Sequence, residues 1–93
     1  MNKINSNLEG QTIHVGMDVQ KASWNLGIHL NDMFLKNVHQ KPNPHLMASY
    51  LHQHYPGAKY KAVYEAGKFG FWIQRHLTAL GIAHRLIIPS KNG

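Results

Sequence analysis

Two periods alternate along this chain, and the changes between them mark its elements. The run Ile13-His14-Val15-Gly16-Met17-Asp18 reads as the core of a strand over residues 12–18. Trp24, Leu26, Ile28 and Leu30 then alternate with Ser23, Asn25, Gly27 and His29, the period-2 pattern of a half-buried second strand. Asn31-Asp32 is a two-residue turn signal, though it lacks the glycine of the strongest hairpin turns, and a third strand follows over 33–39.

Lys41-Pro42-Asn43-Pro44 then breaks the sheet. Asn43 suits an N-cap and Pro44 the first helical turn. Leu46, Met47, Tyr50, Leu51 and His54 share one face of the helix that follows, and Pro56-Gly57 ends it. A fourth strand covers 59–65. After Ala66-Gly67-Lys68, the residues Phe69, Trp72, Ile73, His76, Leu77 and Leu80 recur at helical spacing, with Gly81 as the stop. A fifth strand over 83–88 ends at Pro89.

The order β-β-β-α-β-α-β predicts an α/β domain. Three strands joined by short turns form an antiparallel meander, and the later β-α-β units require parallel pairing through right-handed crossovers. The expectation is a five-stranded mixed sheet with helices packed on it, strands two and three lying toward an edge. At 93 residues the chain suits one small domain, read as a flexible leader over 1–11 and the domain over 12–93. There is no cysteine, so disulfide frameworks and thiolate metal sites are excluded. No apolar stretch approaches the ~20 residues of a membrane span, and the polar start has no signal-peptide segment, which makes the cytoplasm the default expectation.

Charge changes the picture. Ten Lys and Arg against four acids leave a formal net charge of +6, a balance that favours a polyanionic partner such as nucleic acid. The basic residues are scattered rather than blocked. In this setting the acids stand out. Asp18 and Glu65 each close an apolar strand run, while the others are Glu9 and Asp32. If the first and fourth strands lie parallel and adjacent, their ends meet about 4.8 Å apart. Two carboxylates that close repel unless a cation or proton lies between them. Hard oxygen ligands without cysteine point to Mg²⁺ or Mn²⁺, and a pair of such ions makes phosphodiester cleavage available. The competing reading has Asp18 capping a turn and Glu65 in an ion pair with Lys61 or Lys21.

Neighbouring residues extend this expectation. Gly16, two residues before Asp18 on the same strand face, either leaves room for a substrate backbone or lets a helix pack closely. Gly67 and Gly70 flank the start of the second helix, where Lys68 adds charge for a phosphate, but the spacing is not that of a P-loop. The eight histidines do not converge as a metal site would require, and His14, on the Asp18 face, reads as a packed strand residue. Of the aromatics that could stack on bases, Trp24, Phe69, Phe71 and Trp72, helical periodicity assigns Phe69 and Trp72 to the core and leaves Phe71 off that face.

Ile13-His14-Val15-Gly16-Met17-Asp18-Val19-Gln20-Lys21, followed by a Trp-containing strand, resembles the opening of the DEDD transposases of the insertion-sequence-110 family. So does Val63-Tyr64-Glu65-Ala66-Gly67-Lys68-Phe69-Gly70-Phe71-Trp72, followed by a helix ending Leu80-Gly81-Ile82 and a strand ending in Pro89. The resemblance covers about residues 12–91. It implies an RNase H-like domain similar to the RuvC Holliday-junction resolvase, with a Mg²⁺- or Mn²⁺-dependent nuclease centre built from four acids in the order Asp, Glu, Asp, Asp. Asp18 and Glu65 match the first two; the family carries the other two on a later helix. It further implies a bacterial DNA transposase or recombinase whose whole protein self-associates, acts on transposon ends and target DNA, and uses a structured guide RNA and a C-terminal serine domain. This chain then corresponds to the N-terminal part of such a domain, weak in metal binding and inactive alone, with Lys21 and Lys68 as phosphate contacts. Two alternatives remain beside it. One is a non-catalytic nucleic-acid-binding module. The other is an ATPase or sugar kinase of the actin-like class, which would place a glycine-rich phosphate turn where Val19-Gln20-Lys21 stands.

Overall fold

Strand alternation and helix caps act locally, and both are realised where the residues ask for them. The computed structural model describes residues 8–65 and 70–87. Its elements are β1 (Thr12–Val19), β2 (Trp24–Leu30), β3 (Met33–Gln40), α1 (Pro44–His54), β4 (Lys59–Glu65), α2 (Gly70–Ala79) and β5 (Ala83–Ile87). The hairpin between β2 and β3 turns on Asn31 at φ 55°, a left-handed conformation that asparagine tolerates better than most residues. A register shift follows: Ile28 pairs with Lys36 but His29 pairs with Phe34, so Leu35 is an extra residue in the outer strand.

Asn43 caps α1 as its side chain predicts. Its Oδ1 accepts from the backbone N–H of His45 at 2.8 Å and of Leu46 at 3.4 Å, and Pro44 occupies the first turn. Gly81 stops α2 in a Schellman arrangement at φ 75°. The Gly81 N–H donates to Thr78 C=O and the Ile82 N–H donates to Leu77 C=O, with Ile82 and Leu77 both buried beneath the turn.

The five strands form one mixed sheet in the order β3-β2-β1-β4-β5. β1 pairs antiparallel with β2 and parallel with β4, and β4 pairs parallel with β5. β1 is therefore central and β3 is an edge. One sheet face carries Ile13, Val15, Met17, Trp24, Leu26, Ile28, Ala62 and Tyr64, all buried. Against it pack Met47, Ala48 and Leu51 of α1 and Ile73 and Leu77 of α2. The core thus lies between one sheet face and the two helices. The other face stays open: Gly16, Asp18, Lys61, Glu65 and Arg85 are exposed, and His14, Asn25, Gly27, His29 and Val63 are half-buried.

Three expectations change. The buried stripe of α1 is Pro44, Met47, Ala48 and Leu51, so Leu46, at 45% exposed, and His54 lie outside it. The buried stripe runs through Ala48 rather than Leu46, and the small Ala48 carries little hydrophobic signal in the sequence. Trp72, expected in the core, is 43% exposed; only the edge of the α2 stripe reaches the sheet there, and Ile73 and Leu77 fill the interior. Of the leader expected over 1–11, residues 8–11 are bound to the domain. The Leu8 N–H donates to Pro56 C=O, the Lys59 N–H to Gln11 C=O, and Asn31 Nδ2 to Gln11 Oε1. Phe69 lies outside the described residues.

The tyrosines divide by whether their hydroxyl has a partner. Tyr60 Oη lies 2.6 Å from Tyr55 C=O and 3.2 Å from Leu51 C=O, tying β4 to the C-terminal turn of α1. Tyr64 Oη is buried with no partner among the described residues. Tyr60→Phe is expected to cost about 1 kcal/mol in chemical denaturation, because a carbonyl acceptor is abandoned. Tyr64→Phe should be neutral or stabilising, because it removes an unpaired buried hydroxyl.

Burial pushes the phenols of Tyr60 and Tyr64 above their ordinary 10.0, and it does the same to Tyr55 with a smaller contribution from neighbouring Tyr50. Above that pH the unfolded chain releases these protons before the folded chain does. Their stabilisation is therefore complete below about pH 10 and is lost as pH rises through the folded values. Unfolding curves on either side of about pH 10 should show this loss, and the Tyr64→Phe chain should lose less.

Candidate metal and nucleic-acid site at the strand ends

The pairing of β1 with β4 decides where the acids sit. The parallel register runs Gly16↔Val63 and Met17↔Tyr64, so Asp18 and Glu65 are the next residues in step on adjacent strands. Met17 and Tyr64 are buried on the helix side, so Asp18 and Glu65 both fall on the open face, and both are exposed. The two carboxylates expected to converge are brought to neighbouring strand ends.

Neither carboxylate has an ion-pair or hydrogen-bond partner among the described residues. The alternative in which Asp18 caps a turn and Glu65 pairs with Lys61 or Lys21 is therefore not realised there. The β1–β2 turn closes by backbone instead, the Gln20 N–H donating to Ser23 C=O at 3.1 Å. Two like charges on adjacent strands, with no counter-charge paired to them among the described residues, favour a cation. The donors are hard oxygens, which suits Mg²⁺ or Mn²⁺ held by one or two carboxylates plus water and phosphate. No group of three or more His, Cys, Asp or Glu that could hold a metal occurs among the described residues. The chain's own contribution is thus an acid pair.

Gly16 has open space above it: a Cβ there would meet only Gly27 O, at 4.0 Å. Among the described residues no helix packs on that face, so Gly16 leaves room beside Asp18 there. A cavity of ≈ 290 Å³ opens beside Asp18, lined also by Gln20, Ser23, Asn25 and His39. Asn25 stands across from Asp18 on β2 and His39 across from Asn25 on β3. These neighbours were not singled out from the sequence. The signal was present in the alternation, which places Asn25 on the face opposite Trp24, but His39 required the register of a bulged hairpin.

A second cavity of ≈ 230 Å³ lies behind the same turn, between Val19, Gln20, Lys21, Trp24, Pro42 and Trp72. Lys21 is therefore at the acid end of the sheet, exposed beside Gln20. Lys68, the other expected phosphate contact, lies outside the described residues, as do Gly67 and the side chain of Phe71. His14 is half-buried on the open face, paired with His29 and Lys61 and remote from the acid end. No helix among the described residues is long and apolar enough to cross a membrane.

Repulsion between carboxylates at neighbouring strand ends has a measurable consequence. Without divalent cations, Asp18→Asn and Glu65→Gln should each leave the melting temperature unchanged or raise it, since each removes one of two like charges at neighbouring strand ends. With Mn²⁺ added, the natural chain should gain in melting temperature while the double variant gains nothing. Thermal melts at low ionic strength, with and without the cation, check both outcomes.

No family model, no curated protein and no solved structure matches the chain.

Proposed function

We propose that this chain forms the metal-binding end of an RNase H-like, RuvC-type nuclease domain belonging to a DNA transposase or recombinase similar to the DEDD group. Asp18 and Glu65 are its first two acidic ligands. The observation that carries this reading is the in-step placement, on adjacent parallel strands of a basic protein, of two carboxylates that have no partner among the described residues. The element order and the mixed five-stranded sheet, expected from the apolar pattern, support this reading.

In this reading Asp18 and Glu65 present hard oxygen donors from rigid strand ends. When bound, Mg²⁺ supplies positive charge against the attacking and leaving oxygens of a phosphodiester. Gly16 leaves clearance beside Asp18 for a nucleic-acid backbone, and Lys21 offers a phosphate contact from the adjoining turn. With two of the four acids, the chain holds the cation weakly and leaves cleavage to a complete site.

A second reading, a non-catalytic nucleic-acid-binding module, is favoured by the cations of the open face. Lys61 and Arg85 are exposed there, with His14 and His29 half-buried beside them. The two readings part on metal dependence. Under the nuclease reading, Mn²⁺ broadens the amide resonances of Asp18, Glu65 and their strand neighbours selectively, and Asp18→Asn with Glu65→Gln abolishes this. DNA binding whose metal dependence is unchanged in that double variant would instead favour the binding module. Robust Mg²⁺-dependent cleavage by the 93-residue chain, lost in Asp18→Ala, would overturn the incomplete-site reading.

A further inference from the structure

Trp72 is out of place for a core residue. It is 43% exposed, yet its ring is held on two sides. The ring of buried Trp24 meets it edge-on at 6.0 Å and 73°, and the His76 imidazole lies 4.9 Å away. His76 is itself anchored, its Nδ1 lying 2.8 Å from Trp72 C=O. An exposed aromatic fixed in this way is pre-organised, because its rotamer entropy is already spent in the free protein. The ring walls the ≈ 230 Å³ cavity together with Val19, Trp24 and Pro42, and Gln20 and Lys21 supply the polar positions.

We propose that this slot is a stacking subsite for one unpaired nucleobase of a single-stranded nucleic acid. Its volume falls below the ~300–1,000 Å³ of sites for drug-sized ligands, as suits a single planar ring system. The walls are apolar and aromatic, Gln20 offers both donor and acceptor to a base edge, and Lys21 brings a cation to the strand that carries the base. Gln20 also lines the cavity beside Asp18, so the slot and the acid pair lie on either side of one turn. A strand crossing this end of the sheet can set a phosphate toward Asp18 and a neighbouring base against Trp72. The position of the slot deepens the nuclease reading and rests on it for the identity of the polyanion; the stacking itself is tested independently.

The two tryptophans make the test direct. Trp24 and Trp72 both wall the cavity, so quenching by a ligand reports on occupancy of the slot, and far-UV circular dichroism reports on folding. The 93-residue chain is titrated with three dodecamers at one ionic strength: oligo-dT, oligo-rU and a fully abasic strand. Their phosphate numbers match, so the electrostatic contribution is similar. One or both base-bearing strands should bind about tenfold or more tightly than the abasic strand and quench the emission. Trp72→Ala should abolish that preference while leaving abasic affinity unchanged, and Trp72→Phe should keep part of it. Equal affinities for base-bearing and abasic strands, no saturable binding, or a preference that survives Trp72→Ala would each overturn the proposal. Should Trp72→Ala fail to fold, the comparison of strands on the natural chain decides.

Repeating the titration without divalent cations on the Asp18→Asn/Glu65→Gln variant separates this proposal from the nuclease reading. A base preference there supports the slot whether or not the acids bind metal. Cation binding by the natural chain with no base preference sinks the slot alone.

Discussion

Parallel pairing between β1 and β4 is the constraint on which the rest of this molecule depends. The two strands are distant in sequence, separated by the β2–β3 hairpin and α1, so closing them together costs chain entropy that local turns do not. The return comes from the buried side of the pair. Ile13, Val15, Met17, Ala62 and Tyr64 form the middle of the core, where the helices cover them. A shift of one residue in this register would turn that apolar set outward. The same requirement that buries Met17 and Tyr64 sets Asp18 and Glu65 side by side on the opposite face.

That placement separates structural from chemical duties. The helix-covered face supplies the burial, and the open face carries charge, polar side chains and glycine. Asp18 and Glu65 contribute nothing visible to packing or to ion pairing among the described residues, and two like charges on adjacent strands oppose folding to a small degree. A small domain retains such a feature at low cost when the strand ends are held elsewhere by buried neighbours. The turn after β1 adds a second kind of surface at the same end, where Lys21 and Gln20 flank an aromatic-walled cavity.

Parts of this were legible in the residues themselves. Asn43 followed by Pro44 specifies a helix start because the asparagine oxygen satisfies free N–H groups that any helix exposes. Gly81 specifies a stop because its φ of 75° is strained for other residues. The alternation in 24–30 specifies which side chains are inside, since a pleated strand leaves no other choice. The tilt of a helix against its sheet is less local. Leu46 and Trp72 fit an apolar stripe by spacing and yet lie exposed, because how far around a helix the sheet reaches depends on the neighbouring helix and strand rather than on the helix itself.

By itself the sequence determined the seven elements, their caps and turns, the inward faces of the strands, and the presence of two acids at strand ends in a basic chain. These depend on short-range stereochemistry and on the period of apolar positions. Only the tertiary structure decided that β1 lies between β2 and β4, that both helices cover the same face, and that the acid pair opens onto the other. It also decided that Trp72 stands at the surface beside Lys21. Each of these depends on contacts between segments far apart in the chain, where many pairings satisfy the local pattern and the observed one gathers the buried strand and helix residues into a single core.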